Sequence, residues 1–199
     1  MIGDWECSDP LTGHAVRHPH DSLSLSASIV TVGAFDGVHR GHQALLAAIV
    51  RRSRQAGVPS VVYTFDPPPK TYFAGKLRLT PLDEKLRRIS HFGIDHIVVA
   101  QFDAVYAARP AEAFLAELGR LNPVQVWVGA DFRFGTGRSG DTSLLARHFD
   151  TRLIDEIGCK TGERISSSRL RDLFEDGRRE DARALHGWPS EGCLPGTVD

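Results

Sequence analysis

From about residue 27 onward, short apolar runs rich in β-branched residues alternate with longer segments in which apolar positions recur every three or four residues. Ser28–Gly33 predicts a strand. Gly41–Gln55 predicts a helix with Leu45, Leu46, Ile49 and Val50 on one face, ended by Gly57-Val-Pro59. Val61–Phe65 predicts a second strand, stopped by Asp66-Pro-Pro-Pro69, which cannot continue a hydrogen-bonded ladder. A loop of mixed character follows. Thr80-Pro81 then opens a helix, with Thr80 as its cap and proline at its first position. His96–Ala100 predicts a third strand, Pro110–Arg120 a third helix and Val124–Gly129 a fourth strand. Residues 130–141 form a glycine-rich loop, followed by a short helix and a strand near Arg152–Ile157. Ser166–Glu175 and Glu180–His186 predict the last two helices.

This alternation, with buried Val and Ile runs, predicts an α/β fold with a parallel sheet covered on both faces. Right-handed crossovers make it a doubly wound, Rossmann-like sheet. Ligands bind such sheets beyond the carboxyl ends of the strands. Here those ends are Gly33–Gly37, Phe65–Pro69, Gln101–Asp103, Gly129–Asp131 and the loop before Ser166. One domain is expected over residues 27–190. Residues 1–26, polar and carrying Pro10, Pro19, His14, His18 and His20, are expected to be a weakly ordered extension whose histidines are solvated rather than metal-bound. Residues 191–199 are expected to be a tail, and Trp188–Asp199 to fray.

Composition narrows the partners. The chain has 199 residues, 41% hydrophobic and 25% charged, with a net charge of −1. Bulk electrostatics offers no nucleic-acid or membrane surface. Cys7, Cys159 and Cys193 are odd in number and far apart, which disfavours disulfides and structural zinc. No long apolar run or secretory signal is visible, so a cytoplasmic location is expected. The oligomeric state is open.

Three stretches carry candidate chemistry. Gly33-Ala-Phe-Asp-Gly37 leads from the first strand to His39-Arg-Gly-His42 at a helix start. Two imidazoles and free helix N–H groups there can neutralise charge developing on a phosphate chain, and Gly41 admits close backbone approach. The His-x-Gly-His spacing resembles the signature of a class of nucleotidyltransferases, which implies transfer from a nucleoside triphosphate with His39 and His42 as the catalytic pair. Arg164-Ile-Ser-Ser-Ser-Arg-Leu-Arg171 places hydroxyls and arginines at a second helix start. That suits β- and γ-phosphates, although a plain serine cap reads the same locally. In Asp131-Phe-Arg-Phe134, two aromatic faces flank Arg133 and either sandwich a flat ring or tuck into the core. Gly135-Thr-Gly-Arg-Ser-Gly140 matches GxGxxG but lacks the strand–turn–helix context of a dinucleotide site. The Asp66 proline loop either shapes an acceptor pocket or only ends its strand.

Gly33–His42, Thr64–Pro69, Val128–Asp141 and Arg164–Arg171 occur in the order and spacing of bacterial FAD synthetases. Over residues 27–190 the chain resembles their N-terminal adenylyltransferase module. The resemblance implies transfer of AMP from ATP to FMN, giving FAD and pyrophosphate. It implies that His39 and His42, with Arg171, serve catalysis. It assigns Gly33, Ala34, Phe35, Asp36, Gly41, Arg164, Ser166, Ser167, Ser168 and Arg171 to the nucleotide. Phe65, Asp66, Pro68, Asp131, Phe132 and Arg133 would face the flavin. Mg²⁺ would arrive with ATP, held by phosphate oxygens, with no protein metal cage. Three departures stand out. The family's kinase module is expected to be missing. Ala34 replaces a polar residue, commonly Asn, and Pro68 replaces a histidine, so two hydrogen-bonding groups are gone. Two other readings share the motifs: the same chemistry with CTP or another small phosphate or phosphonate acceptor, and a non-catalytic nucleotide-binding paralogue.

Overall fold

The computed structural model describes residues 15–154 and 165–188. The sheet strands are β1 (Val16–Pro19), β2 (Ser28–Val32), β3 (Ser60–Asp66), β4 (His96–Gln101), β5 (Pro123–Gly129) and β8 (Thr151–Ile154). They form one six-stranded sheet in the order β1-β4-β3-β2-β5-β8, every pairing parallel. The α/β doubly wound expectation therefore holds. A second sheet of two strands, β6 (Arg133–Phe134) and β7 (Gly140–Asp141), brackets a 3₁₀ turn at Thr136–Arg138. The helices are α1 (Arg40–Ala56), α2 (Pro69–Ala74), α3 (Leu82–Ser90), α4 (Ala104–Ala107), α5 (Ala111–Gly119), α6 (Thr142–His148), α7 (Ser167–Glu175) and α8 (Arg179–His186).

Strand side chains alternate between faces. Val30, Val61, Tyr63, Val98 and Val126 pack with Phe114 and Leu118 of α5 and Leu145 of α6. Ile29, Val62 and Ile97 pack on the other face with Leu46, Ile49 and Val50 of α1 and Leu86 and Ile89 of α3. Burying both faces explains why the central strands read as unbroken apolar runs. From β2 the chain moves outward to β3 and β4, then returns to β2's other side with β5. That reversal places a crevice beyond the carboxyl end of β2, where the glycine turn begins.

Several local expectations are corrected. Residues 16–19, assigned to a weakly ordered extension, form an edge strand paired with His96–Val99. Four residues without an apolar run carry little signal; the free edge of β4 supplies the order. His18 bonds His96 at 3.1 Å, while His14 lies outside the described residues. Thr80 is buried and does not cap α3. Pro81 holds the cap position without a side-chain bond, and the helix starts at Leu82. The segment after Asp66, expected as a loop, contains the short helix α2, and α4 occupies a stretch to which no element was assigned. The end of the predicted strand at 155–157, the expected tail at 191–199 and all three cysteines lie outside the described residues. Trp188, expected to fray, is packed and donates from Nε1 to the Val38 carbonyl at 2.7 Å.

Candidate active site

A cavity of about 870 Å³ opens at the carboxyl ends of β2, β3, β4 and β5. The N-terminal turns of α1 and α7 both reach it, and neither carries an acidic side chain there. Two helix dipoles therefore present positive ends and free N–H groups to one space.

His39 occupies the N-cap of α1, and its Nδ1 accepts from the His42 backbone N–H at 3.4 Å. The two imidazoles stack, with centroids 3.7 Å apart and planes 15° from parallel. Phe35 lies 5.0 Å from the His42 ring. Gly41 eases this arrangement, because a Cβ there would sit a tight 3.2 Å from His39 Nδ1. The glycine makes room for an imidazole, a reason additional to the backbone approach expected from sequence. Burial, with the nearby His39 and Lys85 charges, holds the His42 pKa well below the ordinary histidine value. His42 is thus neutral at neutral pH. Its Nδ1 is buried without a hydrogen-bond partner among the described residues.

Asp36 and Arg171, both assigned to the nucleotide from sequence, line the cavity and bind each other. They are 1% and 3% exposed, and Arg171 Nη2 donates to Asp36 Oδ2. Arg171 Nε donates to the Leu77 carbonyl at 2.7 Å. Asp36 also accepts from the Leu79 and Thr80 N–H groups. The pair pins α7 and the 77–80 segment to the glycine turn. Ser166 caps α7 by accepting from the Arg169 N–H at 3.2 Å. Ser167 Oγ donates to the Asp36 carbonyl at 2.9 Å, and Ser168 Oγ accepts from Lys70 at 2.9 Å. All three serines line the cavity. Arg164 lies outside the described residues.

Aromatic side chains form a further part of the lining: Phe65, Phe73, Phe102, Tyr106 and Phe132. Phe102 is the hub, with Phe65, Phe73 and Tyr106 at centroid distances of 5.6 to 5.8 Å. Phe134 lines the cavity too, but it is largely buried against Phe114, and Phe132 stacks on it at 5.5 Å. Gly140 allows this, since a Cβ there would meet the Phe134 ring at 2.5 Å. Arg133 lines the cavity, its Nη1 donating to the Phe132 carbonyl. Asp131, at the end of β5, also lines it. Asp66 does not; it pairs with Arg78 at 2.9 Å. Ala34 and Pro68 line the cavity, and Pro68 caps α2 ahead of Pro69.

Lys85 escaped the sequence reading. It is 1% exposed, and its Nζ donates to the Phe65 carbonyl at 2.7 Å, Thr64 Oγ1 at 3.3 Å and the Ala34 carbonyl at 3.4 Å. It ties the ends of β2 and β3 together from beneath the cavity. The signal was a lysine within the Leu82, Leu86, Ile89 stripe of α3. Burial lowers its ammonium from 10.5 to about 8, against the opposing pull of Asp66 and Asp36. Above about pH 8 the folded chain gives up a proton that the unfolded chain keeps, so this group makes stability rise with pH up to the ordinary lysine range. Lys85→Met removes that contribution. The wild type is expected to gain on the variant by about 1.4 kcal/mol per pH unit between pH 8 and 10. Urea denaturation of both proteins across that range measures it, and parallel curves would refute it.

Phe73, Phe102 and Tyr106 also went unassigned. Phe102 directly follows β4, a strand end already expected to meet ligand; the other two lie on the unexpected helices α2 and α4.

The FAD synthetase family model matches residues 21–169. A relative from Geobacillus thermodenitrificans is 53% identical over 174 residues, covering 87% of this chain and 97% of the relative; its name provisionally describes a bifunctional riboflavin kinase/FMN adenylyltransferase. A relative from Escherichia coli K12, named a bifunctional riboflavin kinase/FMN adenylyltransferase, is 39% identical over 171 residues. That match covers 81% of this chain and 54% of the relative, so the chain spans about half of its length. A solved structure described as a macrolide-efflux protein from Streptococcus pneumoniae matches with a TM-score of 0.76 at 27% identity, over 88% of this chain and 62% of that one. Among the described residues, no helix is long and apolar enough to cross a membrane.

Proposed function

This chain belongs to the FAD synthetase family, and we propose that it transfers the adenylyl group of ATP to the phosphate of FMN, producing FAD and pyrophosphate. The observation that carries this reading is one cavity with two unlike linings: helix N-termini, stacked imidazoles and serine hydroxyls, together with a cluster of aromatic rings. The first suits a triphosphate and the second a flat tricyclic ring.

In this reading the FMN phosphate oxygen attacks the ATP α-phosphorus in line. A new P–O bond forms as the bond to the β-phosphate bridging oxygen breaks, and pyrophosphate leaves with the electron pair. No covalent enzyme intermediate is needed. His39 and His42 hold the α- and β-phosphates and meet the growing charge with ring N–H groups. The N-terminal N–H groups of α1 and α7 and the hydroxyls of Ser166, Ser167 and Ser168 hold the remaining phosphates. Phe65, Phe102, Tyr106 and Phe132 supply the surface for the flavin ring.

Among the described residues, no group of three or more His, Cys, Asp or Glu side chains is placed to hold an ion. Asp36 and Asp66 are engaged by arginines. Magnesium is part of the nucleotide substrate in this reading, entering on the triphosphate oxygens.

Pyrophosphate release with Mg²⁺ and ATP or CTP, with and without FMN, tests the proposal. Release that needs both ATP and FMN, with FAD formed, is the expected result. Release with CTP, or only with a different phosphorylated acceptor, would overturn the substrate assignment. Methyl and pyrrolidine groups at Ala34 and Pro68, where hydrogen-bonding side chains were expected, make that comparison necessary.

A further inference from the structure

We infer that the segment ending α8, from His186 to Trp188, is a clamp that sets the position of His39, so that Trp188 and Gln43 are positioning residues for the transfer. This rests on the function proposed above.

The turn between β2 and α1 is strained. Phe35, Gly37 and Val38 have φ values of +48°, +84° and +44°. A β-branched residue in the left-handed region is a rare and costly conformation, kept only where the surroundings impose it. Within the turn, the Val38 N–H donates to the Phe35 carbonyl at 3.2 Å. Side chains from elsewhere hold its other face. The Val38 carbonyl accepts from Gln43 Nε2 at 2.9 Å and from Trp188 Nε1 at 2.7 Å, the latter across 150 residues of chain. Gln43 Nε2 also donates to the His186 carbonyl at 2.9 Å. The Gly37 carbonyl accepts from Arg88 Nη1 at 3.2 Å, and the same nitrogen donates to His186 Nε2 at 2.7 Å. The Arg88 guanidinium lies 5.2 Å from the Trp188 ring centroid.

These contacts converge on the two carbonyls immediately before His39. The residue they aim is the one whose ring stacks on His42 and caps α1. A strained turn fixed by a distant segment is pre-organised: the imidazole reaches its reactive position without further ordering when the nucleotide binds. Trp188 does not line the cavity, so its effect passes through the turn.

Trp188→Phe removes the donor and keeps a ring for Arg88, His91 and Phe92 to pack on. Two readouts on the full chain test the clamp. The first, without substrate, is hydrogen exchange at the Val38 amide, expected to speed up about fivefold as one hydrogen bond is lost. The second is turnover, with kcat expected to fall about tenfold while KM for ATP stays within about twofold. Unchanged exchange at Val38, or unchanged kcat with only a lower Tm, would overturn the inference and leave Trp188 a packing residue. If the wild type turns over no acceptor, the proposed function fails and the exchange readout still decides the clamp. Gln43→Met, which removes the other donor to the same carbonyl, is expected to repeat the result and serves if Trp188→Phe does not fold.

Discussion

His42→Ala is expected to lower kcat by about a hundredfold to a thousandfold, the cost of removing one pre-organised donor from a site of developing charge. The side chain lies at the cavity end of α1, stacked on His39 and close to Phe35. Its backbone N–H still reaches the His39 cap when the ring is gone. The fold should therefore persist, with an unchanged far-UV spectrum. His39→Ala is a less clean test. It removes a charge-stabilising group and the N-cap of α1 together, and the cap alone is worth about 1 kcal/mol of stability. Steady-state pyrophosphate release, at ATP concentrations well above the wild-type KM, separates a kcat effect from weaker binding. A His42→Ala variant with kcat within about tenfold of wild type would remove His42 from the chemistry.

Arg171→Ala is expected to destabilise the domain by about 3–5 kcal/mol, because it leaves the Asp36 carboxylate buried without its cation. An arginine beside three serines at a helix start suggests a triphosphate ligand, and that reading predicts a raised KM for ATP in a stable protein. The structure predicts the opposite signature: a large drop in the urea midpoint and activity that excess ATP does not restore. Asp36→Asn should behave similarly, since Asp36 also receives the Leu79 and Thr80 N–H groups. Unchanged stability with a higher KM would return Arg171 to the nucleotide.

The contrast between these two predictions shows where sequence reasoning reached the site and where it stopped. His39 and His42 were legible because the spacing, the preceding strand and the glycine turn are contiguous, and a helix start fixes its own local geometry. The serines at 166–168 were legible for the same reason. Arg171 and Asp36 were recognised as belonging to the site, and both line the cavity, but their ion pair was not foreseen. Their partnership joins positions 135 residues apart, and no local pattern encodes it. For Phe134 the sequence left a ring sandwich and a core position both open, and a two-stranded hairpin packs its ring against Phe114. Lys85 was hidden by its helix, where it reads as an ordinary polar residue until burial shows otherwise.

The sequence by itself determined the class of fold and the placing of the site, because strand and helix periods, proline and glycine stops and helix caps act over a few residues. It also placed the candidate chemistry at the strand ends, because parallel α/β architecture leaves those ends open. The tertiary structure alone decided which polar side chains face the ligand and which face one another. It decided that the aromatic lining comes from Phe65, Phe73, Phe102, Tyr106 and Phe132 together, and that Val16–Pro19 completes the sheet edge. It also decided that the left-handed Val38 is held by Trp188. The physical reason is common to all of these. Desolvation, ion pairing and strain depend on what lies across space, and the chain brings those partners together only on folding.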